Sequence, residues 1–366
     1  MVLFYTAHDL RRCGGQVGMV PSHPTVLKCN PLQVVYAMPE EAGFRKILSS
    51  SPYVYLIGVA GDSGSGKTTF TAAVRHLIGD DMVTTISLDD YHLFGREERK
   101  ARDITPLSPQ ANDLQRLELD VAALKEGRGI SKKVYNHATG NLEGPVYVSP
   151  TPVIILEGLH TLFSERLRRL LDLSLYVDPA PDVKREWKLK RDRDDRGYSP
   201  GEVRQEMIRR EADYRSFIAP QRQYAQAIIG IHFSRYGREL GWSRDIYSIA
   251  LKMEPLPWIQ PDVSFRFDLG SLLSLPGRSC SMEFLPVPEG ETKRVMIRSD
   301  GFFPPDMADP LVRAIKSETG RDPAEFFRSR TGILPTEIVQ LLICWKIILH
   351  RHAIHDLLAS PDSWKR

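Results

Sequence analysis

The sequence has few cysteines, and none is arranged as in a disulfide scaffold or a zinc site. The four are Cys13, Cys29, Cys280 and Cys344. They form no CxxC pair and no His/Cys cluster at zinc-ligand spacing, and a small secreted scaffold would carry a much higher density of them. The N-terminus also lacks a basic segment followed by a long apolar one. We therefore expect reduced thiols and a cytoplasmic location.

Long apolar runs and a strong net charge are missing as well. The longest apolar stretch, near residues 338–349, is interrupted by Lys346 and is well short of the ~20 residues that a membrane span requires. The 49 Lys and Arg residues nearly balance the 46 Asp and Glu residues, which leaves a net charge of +3. This surplus is too weak to predict binding to nucleic acid or to a membrane surface. Any anion-binding site must therefore depend on a local group of residues and not on the net charge of the protein.

Strand-like and helix-like segments alternate over the first half of the chain. The predicted strands are short apolar runs at residues 53–60, 83–88, 153–156 and 173–177. The predicted helices have apolar residues at helical spacing, at residues 67–78, 114–125 and 165–171. Strands that alternate with helices form parallel sheets covered by helices. The sequence therefore predicts an α/β fold built on a doubly wound parallel sheet.

The second half of the chain has a different pattern. Two charged helices are predicted at residues 183–195 and 201–224. Short β-like runs follow, at 228–233, 247–253, 263–268, 280–285 and 294–298, and then helices at 310–316 and 336–349, the last with Thr336 as its N-cap. We interpret residues 1–45 as a poorly ordered arm and 46–230 as the α/β core with lid helices. Residues 231–366 are interpreted as an antiparallel, β-rich extension of the sheet with C-terminal helices.

The strongest local signal is the Gly-rich segment GDSGSGKT at residues 61–68, which follows a predicted strand and opens a predicted helix. This placement indicates a phosphate-binding loop, in which glycines let consecutive N–H groups point at phosphate oxygens. Lys67 is predicted to bridge the β and γ phosphates of ATP, and the Thr68 hydroxyl to ligate Mg²⁺. The predicted nucleotide-binding residues are Gly61, Asp62, Ser63, Gly64, Ser65, Gly66, Lys67, Thr68 and Thr69.

Carboxylates follow two other predicted strands, where open α/β sheets place their ligand contacts. Asp89 and Asp90 come at the end of the second strand. A carboxylate there can accept the proton of an attacking hydroxyl, but adjacent side chains face opposite ways, so the two are not expected to do the same job. Glu157 ends the third strand and suits a contact to Mg²⁺. A solvated Asp-Asp turn and a capping Glu are the structural alternatives.

A basic helix and a polar turn complete the candidate residues. The segment KLKRDRDDRG at residues 188–197 fits a lid that closes on phosphates, since its interleaved Asp residues cancel much of the field that nucleic acid would need. Arg209 and Arg210 either add to this anion-binding side or form an exposed basic pair. The turn YNHATG at residues 135–140 is uninformative alone, and a structural role is the default for its His137.

In order and spacing, the segments GDSGSGKTT, LDDYHxxxR, YNHATG, EGLH and KxxRDxxxRGY resemble the phosphoribulokinase and uridine kinase family, and its phosphoribulokinase members in particular. The resemblance covers roughly residues 53–229. It implies transfer of a phosphoryl group from ATP to the C1 hydroxyl of a small-molecule substrate, D-ribulose 5-phosphate, which gives ribulose 1,5-bisphosphate. It also suggests a homodimer and a role for the product in carbon fixation or nucleoside salvage.

The resemblance implies roles for individual residues. Asp89 is similar to the family's general base, and Glu157 to a carboxylate at the Mg²⁺-nucleotide, beside Thr68. The implied catalytic residues are Asp89, Lys67, Lys188, Arg191 and Asp192. The implied contacts to the sugar phosphate are His92, Arg96, Tyr135, His137, Arg191 and Arg196.

One departure from the family pattern concerns regulation. Plant-type members carry a regulatory cysteine within the phosphate-binding loop, where this chain has Ser65. Thiol control of that kind is therefore not expected. A plant-like core without the regulatory pair resembles the archaeal members.

Two other functions stay open. A uridine or cytidine kinase shares the phosphate-binding loop, the Asp after the second strand and the lid motif, although Arg96 and the YNHATG turn favour an anionic sugar. An ATP-binding regulator without catalytic activity is the second alternative, against which the presence of Lys67, Thr68, Asp89 and Glu157 together argues. A GTPase fits less well because the sequence has no NKxD tetrapeptide.

Overall fold

The structure is a computed structural model that describes residues 43–194, 199–239, 246–254, 280–285, 294–329 and 331–359. Its strands are β1 (Tyr55–Ala60), β2 (Val83–Ser87), β3 (Ile130–Asn136), β4 (Asn141–Val148), β5 (Val153–Gly158), β6 (Leu173–Pro179), β7 (Ala227–Phe233), β8 (Tyr247–Met253), β9 (Cys280–Leu285) and β10 (Val295–Gly301). Its helices are α1 (Phe44–Ser50), α2 (Lys67–Ile78), α3 (Arg96–Ala101), α4 (Leu114–Lys125), α5 (Glu165–Leu170), α6 (Pro181–Asp194), α7 (Pro200–Asp213), α8 (Arg235–Glu239), α9 (Asp309–Thr319) and α10 (Pro335–Ala359).

Eight of these strands form one mixed sheet in the order β2-β5-β1-β6-β7-β8-β10-β9. The first five run parallel, and β8, β10 and β9 continue the sheet with antiparallel pairings. This arrangement confirms the predicted α/β fold with its antiparallel extension. The domain boundary expected near residue 230 falls inside β7, so the extension shares one sheet with the core.

Helices cover both faces of the sheet because the central strands are apolar on both sides. Every residue of β1 is buried, and so is every residue of β5 except Glu157. On one face α1, α2, α9 and α10 pack against the strands, and on the other α4 and α5 do so. In the described part of the chain, no helix is both long and apolar enough to cross a membrane.

The parallel half of the sheet brings three sequence motifs to one edge. β1 and β2 both pair with β5, and Val59 and Ser87 are the partners of Glu157 in the two registers. The Gly-rich loop therefore leaves the sheet beside Glu157, and the turn that carries Asp89 leaves it on the other side. This is the carboxyl edge, where open α/β sheets bind their ligands.

The hairpin of β3 and β4 was not predicted from the sequence. Its strands pair from Ile130↔Val148 to Asn136↔Asn141, with a bulge between Lys132 and Val134. Most of its side chains are exposed, so neither strand produces the apolar run that marks a buried strand. The hairpin places the YNHATG turn beside the end of β2.

Two local predictions were wrong. The segment predicted as one helix at residues 201–224 is α-helical only up to Asp213. A π-helical turn, Tyr214–Ile218, and a 3₁₀ turn, Ala219–Tyr224, follow. Pro220 in the 3₁₀ turn lacks an N–H for α-helical bonding. Thr336 is not an N-cap, because α10 already begins at Pro335. The Glu337 carboxylate instead accepts the N–H of Leu334 at 2.7 Å.

Some expectations fall on residues that the structure does not describe. The β-like run at 263–268 lies outside the described residues, and so do residues 1–42 of the expected arm. The expectation of a poorly ordered arm was wrong for its last two residues, because Phe44 and Arg45 already belong to α1, whose Phe44, Ile47 and Leu48 are buried.

Candidate active site

The Gly-rich loop connects β1 to α2 with a backbone that only glycine adopts readily. Gly61 has a φ of +150°, and a Cβ there would lie 2.6 Å from the carbonyl oxygen of Val177. Gly66 has a φ of +90° and caps α2 in a left-handed conformation. The loop therefore curls around the free N–H groups at the helix N-terminus, the arrangement that binds phosphate.

Lys67 and Ser65 lie within this curl. The Lys67 amine donates to the carbonyl oxygens of Gly61 and Asp62, at 3.0 and 2.7 Å. Burial lowers the pKa of Lys67, against the opposing charges of Asp62, Asp89 and Glu157. Ser65 is fully buried, and its hydroxyl has no hydrogen-bond partner among the described residues. An unpaired hydroxyl inside an N–H-lined loop fits a site that an acceptor such as a phosphate oxygen completes.

The two residues predicted at Mg²⁺ are in contact. Thr68 Oγ1 donates to Glu157 Oε1 at 3.1 Å, and Thr71, which was not predicted, donates to Glu157 Oε2 at 2.6 Å. Among the described residues, no group of three or more His, Cys, Asp and Glu side chains could hold a metal ion alone. Mg²⁺ in nucleotide sites needs only one or two protein oxygens beside the phosphates, so Thr68 and Glu157 fit that donor set.

Asp89 and Asp90 face different surroundings, as expected for adjacent residues. The Asp90 side chain is only 7% exposed, accepts the N–H of Tyr135 at 2.8 Å and pairs with the amine of Lys132. It thereby ties the hairpin to the end of β2. Asp89 is partly exposed and makes neither contact, so of the two it is the carboxylate that a substrate can reach.

Two imidazoles flank Asp89. His92 Nε2 lies 3.7 Å from Asp89 Oδ1, and His137 Nε2 lies 3.5 Å from Oδ2. The ring of Tyr135 packs edge-on against both, with ring centroids 5.0 and 5.1 Å apart. The Tyr135 hydroxyl accepts from Arg99 at 2.9 Å.

Asn112, a second residue that was not predicted, determines the tautomer of His92. Its amide nitrogen donates to the carbonyl oxygens of Pro106 and Ser108, at 3.1 and 2.8 Å, which turns its oxygen toward His92 Nδ1 at 2.7 Å. Nδ1 must then carry the proton. Burial lowers the pKa of His92, so the neutral ring presents an unprotonated Nε2 on the side of Asp89.

Arg96 begins α3 and holds the hairpin turn. Its guanidinium donates to the His137 carbonyl oxygen at 2.6 Å, and its backbone N–H donates to the Gly140 carbonyl oxygen at 2.7 Å. A Cβ on Gly140 would lie 2.7 Å from the Arg96 side chain, which explains the glycine at that position. Arg96 therefore lies beside His137.

Helix α6 brings the predicted lid residues to the Gly-rich loop. Arg191 pairs with Asp192 at 2.8 Å, and its guanidinium would lie 3.3 Å from a Cβ on Gly64. Lys188 and Asp192 are buried on the same helix. Arg196, the last predicted lid residue, lies outside the described residues. Arg191 also contacts the loop directly, through its guanidinium and the Ser63 hydroxyl at 3.5 Å.

Lys184 is a third residue that was not predicted. Its amine pairs with Asp62 of the Gly-rich loop at 2.8 Å and lies 3.9 Å from the ring centroid of Tyr214. Burial alone would lower the pKa of Lys184, but Asp62, with Tyr214 and Glu211, outweighs burial and the net shift of the pKa is upward. Its spacing, one helical turn before Lys188, was the signal in the sequence that could have found it.

The chain is similar to known proteins of one family. A sequence model described as Phosphoribulokinase / Uridine kinase family matches residues 56–233. A uridine kinase of Borrelia duttonii is 34% identical over 181 residues, which cover 48% of this chain and 86% of that protein. The chain belongs to the phosphoribulokinase and uridine kinase family. The family resemblance predicted from the motifs is thereby confirmed.

Within this family, phosphoribulokinases match at higher identity but over a smaller share of their length. The phosphoribulokinase of Synechocystis is 43% identical over 178 residues, 49% of this chain and 54% of that one. The chloroplastic phosphoribulokinase of Arabidopsis thaliana is 38% identical over 205 residues, 51% of this chain and 52% of that one. The chain thus spans about half the length of these curated relatives.

A solved structure supports the fold beyond the matched half. Phosphoribulokinase from Rhodobacter spheroides aligns with 82% of this chain and 100% of its own, with a TM-score of 0.51 and 18% sequence identity. The likeness in fold therefore extends over a larger share of the chain than the half that the family model matches.

Proposed function

We propose that this protein is a phosphoribulokinase, which transfers a phosphoryl group from ATP to the C1 hydroxyl of D-ribulose 5-phosphate. The observation that carries the proposal is the position of Asp89. The charge of its carboxylate favours the protonated form of Lys67 in the phosphate-binding loop and so acts to raise the pKa of that lysine. His92 and His137 flank the same carboxylate. This position supports a role for Asp89 as the base, between the proposed site for the phosphoryl donor and a pocket rich in imidazole and guanidinium groups.

In the proposed reaction these side chains have different roles. Asp89 accepts the proton of the C1 hydroxyl while that oxygen attacks the γ phosphorus in line, and ADP leaves. Lys67 and the N–H groups of the loop stabilise the charge that develops on the transferring group, and Arg191 adds a cation from the lid side. Thr68 and Glu157 would hold Mg²⁺, which neutralises the β and γ phosphates when bound.

The hairpin and α3 supply the residues of the proposed sugar pocket. Arg96 and His137 supply polar and cationic groups for the substrate phosphate, and neutral His92 can accept a hydrogen bond from a sugar hydroxyl. Relatives named phosphoribulokinase match at higher identity than those named uridine kinase, which supports a sugar phosphate over a nucleoside. The proposal includes a homodimer and a carbon-fixing role, both resting on the family resemblance.

The test is ADP release, measured with ribulose 5-phosphate, uridine and cytidine in parallel. Ribulose 5-phosphate should be the preferred acceptor, and phosphorus NMR should identify ribulose 1,5-bisphosphate. Lys67→Ala should abolish most turnover in a folded protein. Arg96→Ala should raise the KM for the sugar by about 10- to 150-fold and leave the KM for ATP nearly unchanged.

Each alternative function has its own outcome in this assay. Preferential turnover of uridine or cytidine would replace the proposal with a nucleoside kinase. Tight ATP binding without turnover of any acceptor would identify a regulator. Near-normal turnover by folded Lys67→Ala would refute the assignment of the phosphate-binding loop itself.

A further inference from the structure

Helix α2 presents two threonine hydroxyls to one carboxylate. Thr68 lies in the first turn of the helix and Thr71 lies three residues later, on the same side. Glu157 comes from the end of β5, far away in the sequence. Thr68 contacts Oε1 at 3.1 Å and Thr71 contacts Oε2 at 2.6 Å, so the carboxylate has a separate donor for each oxygen.

The two threonines differ in exposure. Thr68 is exposed at the open end of the phosphate-binding loop, whereas Thr71 is only 3% exposed. The Thr71 hydroxyl also lies 3.1 Å from the Thr68 carbonyl oxygen, but its single proton can be donated to only one acceptor. The shorter distance and the negative charge favour Glu157. Oε2 is therefore held on the buried side and Oε1 faces the nucleotide side.

A carboxylate held through one oxygen keeps its orientation when the other oxygen changes partner. The Thr68 hydroxyl would ligate Mg²⁺ through an oxygen lone pair, and Oε1 would then face the cation as well as Thr68. The bond from Thr71 to Oε2 does not involve the cation and is unaffected by that change. Groups that orient a metal-binding carboxylate in this way contribute to the affinity for the metal.

We propose that Thr71 is a positioning residue that orients Glu157 toward the magnesium nucleotide. The inference rests on the nucleotide site of the proposed function. It does not depend on which acceptor is phosphorylated. A purely structural Thr71, bonded back to the Thr68 carbonyl within α2, is the competing interpretation.

The experiment measures nucleotide binding rather than turnover. Calorimetry gives the Kd of ADP with and without Mg²⁺ for the wild type, Thr71→Val and Thr71→Ser. The Kd without Mg²⁺ divided by the Kd with Mg²⁺ gives the factor by which Mg²⁺ tightens ADP binding. Thr71→Val keeps the shape and loses the donor, so this ratio should fall by about 10- to 100-fold while the Kd without Mg²⁺ stays nearly constant. Thr71→Ser keeps the donor and should restore most of the ratio.

Two controls make the result specific. Thr161→Val removes another fully buried hydroxyl near β5. Among the described residues this hydroxyl lies within hydrogen-bond distance of the carbonyl oxygens of Val59 and Gly158, so its loss should leave the Mg²⁺ ratio unchanged. Glu157→Gln should lower the ratio at least as much as Thr71→Val. If Thr71→Val does not fold, Thr71→Ala carries the same test.

The inference is overturned if Thr71→Val retains the wild-type ratio, or if Thr161→Val lowers it equally. It is also overturned if Thr71→Ser behaves like Thr71→Val, because the hydroxyl would then not be the cause. A failure to phosphorylate ribulose 5-phosphate leaves these binding constants untouched. The two failures are thus distinguishable.

Discussion

Lys188 is a lysine buried among charges on helix α6. Its pKa falls to about 8, mainly because burial disfavours the charged amine and partly because Arg210 and Arg191 repel it. The carboxylates of Asp62 and Asp192 oppose this shift. A lysine in this state is still largely protonated at neutral pH, but it loses its charge within the range in which most enzymes can be assayed.

Raising the pH should weaken ATP binding through Lys188. Above about pH 8 the neutral amine no longer attracts phosphate, so the KM for ATP should rise by at most about tenfold per pH unit. Lys188→Arg stays charged throughout and should show a flat KM over the same range. Initial rates at saturating ribulose 5-phosphate, from about pH 6.5 to 9.5, check this.

Protein stability should change in the opposite direction. The unfolded lysine has its ordinary pKa of 10.5, so between about pH 8 and 10.5 the unfolded state binds more protons than the folded state. The destabilisation from burying a charged Lys188 is full below about pH 8 and is relieved as the pH rises. Thermal unfolding of the wild type against Lys188→Met measures this difference.

Lys188→Arg is the control for the prediction on ATP binding. If the KM for ATP rises with pH as much in Lys188→Arg as in the wild type, another group titrates.

At the scale of elements, α10 is a long helix buried on most of its surface. Tyr55 of β1 bonds to His350 through its hydroxyl at 2.7 Å, and the buried Lys346 amine donates to the carbonyl oxygen of Glu254. Arg351 is fully buried one residue after His350. None of its three guanidinium nitrogens has a hydrogen-bond partner among the residues that the structure describes. The helix thus carries a charge whose desolvation is poorly compensated.

Arg351→Met should stabilise the protein. The guanidinium lies 5.2 Å from the ring centroid of Tyr53, but the nearby Asp172 carboxylate already accepts from Tyr53, Lys125 and the N–H of Leu56. Replacing a poorly paired buried ion by an apolar side chain of similar length should raise the free energy of unfolding by about 1–4 kcal/mol. Urea unfolding measures this change, with an unchanged m-value as the sign of an unaltered folded state.

Lys125→Met is the matched control at the same end of the sheet. It removes the amine that pairs with Asp172 and leaves that carboxylate with less compensation, so it should destabilise the protein. Destabilisation by both substitutions would show that the Arg351 charge contributes favourably, and the prediction would be wrong.

At the scale of the whole molecule, the described thiols lie away from the phosphate-binding loop. Cys344 is fully buried in α10, and burial raises its pKa to about 12, so it is inert as a thiolate. Cys280 lies half-buried on β9, the last strand of the sheet. The loop itself carries Ser65. Cys13 and Cys29 lie outside the described residues.

Mild oxidation should therefore leave the activity unchanged within assay error. A disulfide that blocks the nucleotide site needs a thiol beside the loop, with Cα atoms within about 7 Å of its partner. Turnover of fully reduced protein is compared with that of protein treated with oxidised glutathione. A reversible loss of activity that disappears in Cys29→Ser would contradict the prediction and assign a regulatory role to the N-terminal residues.

The sequence by itself determined what depends on neighbouring residues. The bounds of α2, α4, β8 and β9 agree with the runs predicted for them, because periodicity and helix-ending glycines act within a few residues. The Gly-rich loop could be predicted from the sequence for the same reason, since its own glycines determine its backbone conformation. The meeting of this loop with Glu157 and Asp89 followed from one general rule, that the carboxyl ends of parallel strands share an edge.

Only the tertiary structure decided which side chains complete the site. Thr71 reaches Glu157 across 86 positions of sequence, and Asn112 reaches His92 across 20. His137 comes to Asp89 on a hairpin whose strands are mostly exposed and leave no periodic signal. Each of these contacts depends on how separate elements pack, and packing sums many weak interactions between distant segments that no local pattern records.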